Sequence, residues 1–80
     1  MSATEINNLL RRRPFMPFRV HVTGDIHYDI RVPELAMCGM SVLIIGMSRN
    51  VQSEFFDEPV LVALRHVTRI EPLVEADAPA

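Results

Sequence analysis

Three consecutive arginines, Arg11-Arg12-Arg13, form the one charge cluster of an 80-residue chain. Fanned over most of a helical turn, three guanidinium groups can hold successive phosphates of a nucleic-acid strand. Cations at a helix C-terminus also complement the helix dipole, at about 0.3–1 kcal/mol each, with no ligand involved. Arg65-His66 is a second basic pair, which a turn can use to cap exposed carbonyls. His21, His27 and Asp29 share one side of an alternating stretch, where a metal site can be imagined. Two facing histidines equally make an ordinary polar sheet surface, and neither a metal nor a cofactor is expected. The parts of a nucleophilic enzyme are missing. Ser2, Ser41, Ser48 and Ser53 lack a Gly-x-Ser-x-Gly context, Cys38 has no cationic neighbour in sequence, and there is no phosphate-cradling glycine loop. No catalytic residue is assigned, and a non-enzymatic role is expected.

Composition narrows the setting in which these groups act. Eight arginines (no lysine) against ten acids give a net charge of −2, so the chain is neither a basic nucleic-acid tail nor an acidic disordered one. Hydrophobic residues make up 49% and charged residues 22%, a globular balance that is unusually apolar for one small domain. Charge is uneven along the chain. Residues 1–40 hold five Arg and four acids (+1), and residues 41–80 hold three Arg and six acids (−3). A single cysteine excludes an internal disulfide framework. The polar N-terminus lacks the apolar core of a signal peptide, and the longest apolar runs fall far short of a membrane span. The expectation is a cytoplasmic protein with no membrane contact.

The elements that must position the candidate groups are legible in the pattern. Ser2-Ala3-Thr4-Glu5 reads as a capping box, and Ile6, Leu9 and Leu10 fall on one helical stripe, predicting a helix at about 3–12. Pro14 ends it, and Pro14–Phe18 makes a stiff connector. From Phe18 the period becomes two, through Val20, Val22, Ile26, Tyr28, Ile30 and Val32. A two-residue loop would mix apolar and polar faces. A three-residue loop, Thr23–Asp25, pairs Val22 with Ile26, Val20 with Tyr28 and Phe18 with Ile30, and sets Arg19 beside Asp29 and His21 beside His27. Pro33-Glu34 breaks the second strand or puts it on an edge. Ser41–Gly46 and Pro59–Leu64 are strands apolar on both sides, so both faces are expected to be covered. Ser48-Arg49-Asn50 signals a turn, Phe55 and Phe56 sit among acids as a docking tip or strand, and Arg65–Val67 is a tight link into a last strand, Thr68–Leu73. The domain is expected to span residues 1–73, with 74–80 a fraying tail.

A helix followed by five short antiparallel strands, with a tight link before the last, resembles the Sm-like small barrels. The likeness is to the bacterial Sm-like host-factor RNA chaperone family. Leu10-Arg11-Arg12-Arg13 resembles that family's basic rim, Val20-His21-Val22-Thr23-Gly24 its first strand and glycine turn, and Leu64-Arg65-His66 ahead of Glu71-Pro72 its second Sm motif. The resemblance implies single-stranded RNA as a ligand of Arg11, Arg12, Arg13, Arg65 and His66. The phrase Arg13-Pro14-Phe15-Met16-Pro17-Phe18-Arg19, with Pro33-Glu34, also resembles a group of short uncharacterised bacterial proteins.

The fold class expected is mainly β with one N-terminal α-helix, in a five-stranded antiparallel Sm-like or SH3-like small barrel. One barrel has one interior, so the surplus apolar face needs the helix or another subunit, and Val42, Ile44, Leu61 and Ala63 are the candidate interface. The leading functional expectation is a binding or scaffold module that forms a homo-oligomer. An Sm-like RNA binder and a monomeric SH3-like protein-interaction domain are the alternatives.

Overall fold

The computed structural model describes residues 1–49 and 55–73. It opens with α1 (Ala3–Arg11), whose N-terminus is closed by the capping box. The Glu5 amide donates to Ser2 Oγ at 3.2 Å and the Ser2 amide to Glu5 Oε1 at 3.1 Å. Ile6 and Leu10 are the buried stripe of this helix. It stops at Arg11, with Arg12 already extended as the C-cap, so the last turn is shorter than the periodicity predicts.

Six strands follow: β1 (Phe18–Val22), β2 (Ile26–Ile30), β3 (Ala36–Cys38), β4 (Val42–Met47), β5 (Glu58–Ala63) and β6 (Val67–Pro72). They form two antiparallel sheets, the first ordered β2-β1-β6 and the second β3-β4-β5. The β1–β2 hairpin has the three-residue loop, pairing Val22 with Ile26, Val20 with Tyr28 and Phe18 with Ile30. Gly24 and Asp25 turn the chain at φ 90° and 61°, a left-handed pair in which glycine carries no steric penalty.

The five-stranded barrel is therefore corrected: among the described residues there are six strands, and no strand pairing joins the two sheets into a closed barrel. The reason lies at Pro33. The residue before proline is held extended (Val32, φ −130°, ψ 116°), and Pro33–Leu35 then makes a 3₁₀ turn in which the Leu35 amide donates to Val32 O. The second strand ends at Ile30, and the chain restarts as β3 on the other sheet. Further on, β5 ends at Ala63, and the tight link is a 3₁₀ turn at Leu64–His66 that carries the chain from the second sheet back to the first. Asn50 of the expected turn, residues 51–54 and the 74–80 tail lie outside the described residues.

One core is shared by the helix and both sheets. It is built from Ile6 and Leu10, from Phe18, Val20, Ile30 and Val67, and from Leu43, Ile45, Val62 and Leu64. Because side chains alternate along a strand, each sheet turns a second set of residues outward. Those two outer faces differ completely in chemistry.

Candidate functional site

The outer face of the first sheet is a grid of charges. Asp29, Arg19 and Glu71 lie in one row across β2, β1 and β6, and His27, His21 and Arg69 in the next. Arg19 holds Asp29 through two bonds, Nε–Oδ1 at 2.7 Å and Nη2–Oδ2 at 3.1 Å, the bidentate geometry that suits a guanidinium. Arg31 adds a looser contact to the same carboxylate at 3.4 Å. His21 Nε2 lies 2.7 Å from Glu71 Oε1, with Arg69 at 3.9 Å from that oxygen. The bond from Arg19 holds the Asp29 carboxyl below its ordinary value of 3.8, against a smaller opposing effect of burial. The bond to His21 likewise lowers Glu71. His21 and Asp29 are thus engaged by other side chains, and no group of three metal ligands is present among the described residues.

A register shift between His21 and Val22 lets β6 fit this grid. Thr68 is the extra residue, and its hydroxyl donates to His21 O at 3.2 Å. Beside it, the Thr23 amide donates to the His66 carbonyl at 3.0 Å. His66 therefore lies next to the far end of β1, whereas Arg11–Arg13 lead through Pro14–Pro17 into its near end. The five expected RNA contacts are all exposed, but they attach to opposite ends of that strand. Arg13 Nη1 donates to the carbonyls of Leu10 and Arg12, closing the helix end, and Arg12 Nη1 rests 3.6 Å from Met16 Sδ. No carboxylate pairs with Arg11, Arg12, Arg13 or Arg65, since the ion pairs among the described residues all belong to the first sheet.

The outer face of the second sheet carries no charge on β3 or β4. Met37, Ile44 and Leu61 form one row across β3, β4 and β5, Val42 and Ala63 a second, and Gly46 and Pro59 a third. Met37 is 68% exposed and Leu61 65%. Val42, Ile44, Leu61 and Ala63 all fall on this face, and none of them packs against the core. Of the cover expected on both faces of Ser41–Gly46, one chain supplies the core side in full and this side in part, with Val42 and Ile44 half-buried. The helix packs toward β3 from the core side, where Cys38 Sγ lies 3.9 Å from Ala3 O, and does not cover the outer face.

Phe56 folds over this face at Gly46, where a β-carbon would lie 2.8 Å from Phe56 Cβ. The ring is still 55% exposed. With Met37, Ile44 and Pro59 it lines a groove of about 390 Å³, whose polar edge is Glu34. A second cavity, of about 290 Å³, opens where β2 and β4 diverge, against Asp29, Arg31, Leu35, Ile45 and Met47. Its two charged residues are already paired with each other.

Met37, Glu71 and Arg69 were not legible as site residues. Met37 belongs to a strand too short to show alternation, and the strand that carries Glu71 and Arg69 pairs with one some fifty positions away. Cys38 is half-buried, and burial pushes its thiol above the ordinary 9.0, which makes it a poor nucleophile. Among the described residues no helix is long and apolar enough to cross a membrane. Comparisons with protein-family models, with curated proteins and with solved structures find no match.

Proposed function

We propose that the chain is a non-enzymatic binding and scaffold module that assembles with copies of itself through the outer face of the second sheet. The observation that carries this reading is the apolar grid of Met37, Val42, Ile44, Leu61 and Ala63, on which Met37 and Leu61 stay widely exposed and, among the described residues, only the Phe55–Phe56 end of the face is folded over. Contiguous apolar patches of this kind are uncommon on monomers and mark interaction surfaces. Charged side chains, by contrast, fully occupy the outer face of the first sheet. The fold reading extends the same proposal. A helix ahead of short antiparallel strands, with a 3₁₀ turn before the last, supports kinship with Sm-like and SH3-like small barrels.

Native mass spectrometry and light scattering test the assembly. The expected result is a multiple of 9.1 kDa at micromolar concentration, falling to the monomer in Leu61→Glu with an unchanged circular dichroism spectrum. A well-behaved native monomer overturns the reading and leaves a monomeric SH3-like protein-interaction domain in its place.

A second reading, an Sm-like binder of single-stranded RNA, is favoured by exposed cations at both ends of β1, Arg11, Arg12 and Arg13 at one and Arg65 with His66 at the other, none of the arginines paired with a carboxylate among the described residues. Its affinity falls with salt at a log–log slope of about −0.7 per neutralised phosphate, and replacing Arg11–Arg13 by alanine flattens that slope. A gel-shift titration at ~50 mM salt with no complex on any RNA homopolymer removes it.

A further inference from the structure

We propose that the copies join head to tail: the arginine corner of one, Arg11–Arg13 with Met16, seats in the groove of the next at Met37, Phe56 and Glu34. This inference rests on the self-assembly reading and adds which surface meets which. The groove is apolar at its floor, and Glu34 is the one charged residue among the described residues that lines it. Asp57 is exposed beside Phe56, whereas Glu58 pairs with Met47 on the opposite side of β5. Asp57 Oδ2 accepts the Arg49 backbone amide, and with Glu34 it gives the groove an acidic border. Glu34 makes no ion pair among the described residues.

The corner is the complement of that groove. Among the described residues its three guanidinium groups have no carboxylate partner, and Arg12 leans on Met16, which is 53% exposed. It therefore presents a cationic rim around an apolar knob to a surface that offers an apolar hollow inside an anionic rim. A two-fold dimer of the groove with itself would instead bring two anionic rims together and leave six arginines unused, because an isologous interface applies the same patch twice. Head-to-tail contact matches opposite charges and uses both surfaces of every copy. Such a contact is heterologous, so it propagates into a ring or an open filament and does not stop at two.

The full chain tests this by native mass spectrometry and light scattering in low and high salt. The native protein is expected to exceed a dimer and to shed subunits as salt rises. R11E/R12E/R13E and E34R are each expected to run as 9.1 kDa monomers with a native circular dichroism spectrum. Joining the two sets in one chain restores the assembly. R11Q/R12Q/R13Q serves if the glutamates unfold the helix end, and it is expected to lose assembly as well. Persistence of the native mass in the arginine variants, a native species that stops at a dimer, or failure of the four-fold swap to reassemble while folded overturns the head-to-tail pairing. Loss of assembly in Leu61→Glu alone, with the arginine variants still assembled, overturns the pairing and keeps the apolar interface. A native monomer overturns both.

Discussion

At Gly46 the missing side chain is what lets Phe56 lie on the second sheet. Alanine there would put a methyl group 2.8 Å from Phe56 Cβ and 2.9 Å from Cγ, so the strand and the 55–57 segment would have to part. Overpacking of this kind costs about 1–3 kcal/mol. Gly46→Ala is expected to lower the urea midpoint accordingly, and adding Phe56→Ala should restore little, because the near atom is the β-carbon that alanine keeps. At Asp29 the argument is electrostatic. Its carboxyl titrates below 3.8 in the folded chain, so the ionised Arg19–Asp29 pair contributes fully above that value. The contribution disappears as pH falls through the lowered folded value. Acid titration of stability should therefore show a step below about pH 4 that Asp29→Asn removes; an unchanged acid limb would mean that the pair is not populated in solution.

Among elements, the β1–β2 hairpin was the most legible. Its two strands alternate cleanly, and the three-residue loop is the register that keeps Val20 with Tyr28 and Arg19 with Asp29. The helix was equally plain, since Ser2 and Glu5 mark its start and Pro14 limits its end. What sequence reading could not reach depends on pairing across distance. β3 is three residues, Ala36–Cys38, behind a proline, and only its partner β4 makes it a strand. The apolar run Val42–Ile45 says that a strand is uncharged on both sides, not which side stays open. The site was half legible for the same reason: Val42, Ile44, Leu61 and Ala63 follow from alternation, whereas Met37 and the place of Phe56 follow from contacts. Val20 tests the hairpin. It is fully buried between Tyr28 and Ile70, so Val20→Asp places an unpaired charge in the core and should abolish the cooperative transition in urea. His21→Ala, one residue on and facing outward, should shift the midpoint little. Equal damage from both would refute the division into a core face and a solvent face.

Taken whole, the molecule has one sheet whose outside is saturated with paired charge and another whose outside has none. The first is finished as a surface and the second is not, which is why self-assembly is placed on β3, β4 and β5. The strand order of the first sheet has a separate consequence, in time. β1 meets β2 across a three-residue loop, but it meets β6 across about fifty residues, the separation of His21 from Glu71. Closing the longer loop costs about 2–3 kcal/mol more chain entropy than closing the short one. The hairpin can therefore form early, while β6 waits for the second sheet to bring it round through Leu64–His66. On the ribosome, the second edge of β1 stays without its partner until residues 67–72 have been made. An open strand edge of that kind is where a nascent chain is most exposed to pairing with a neighbour.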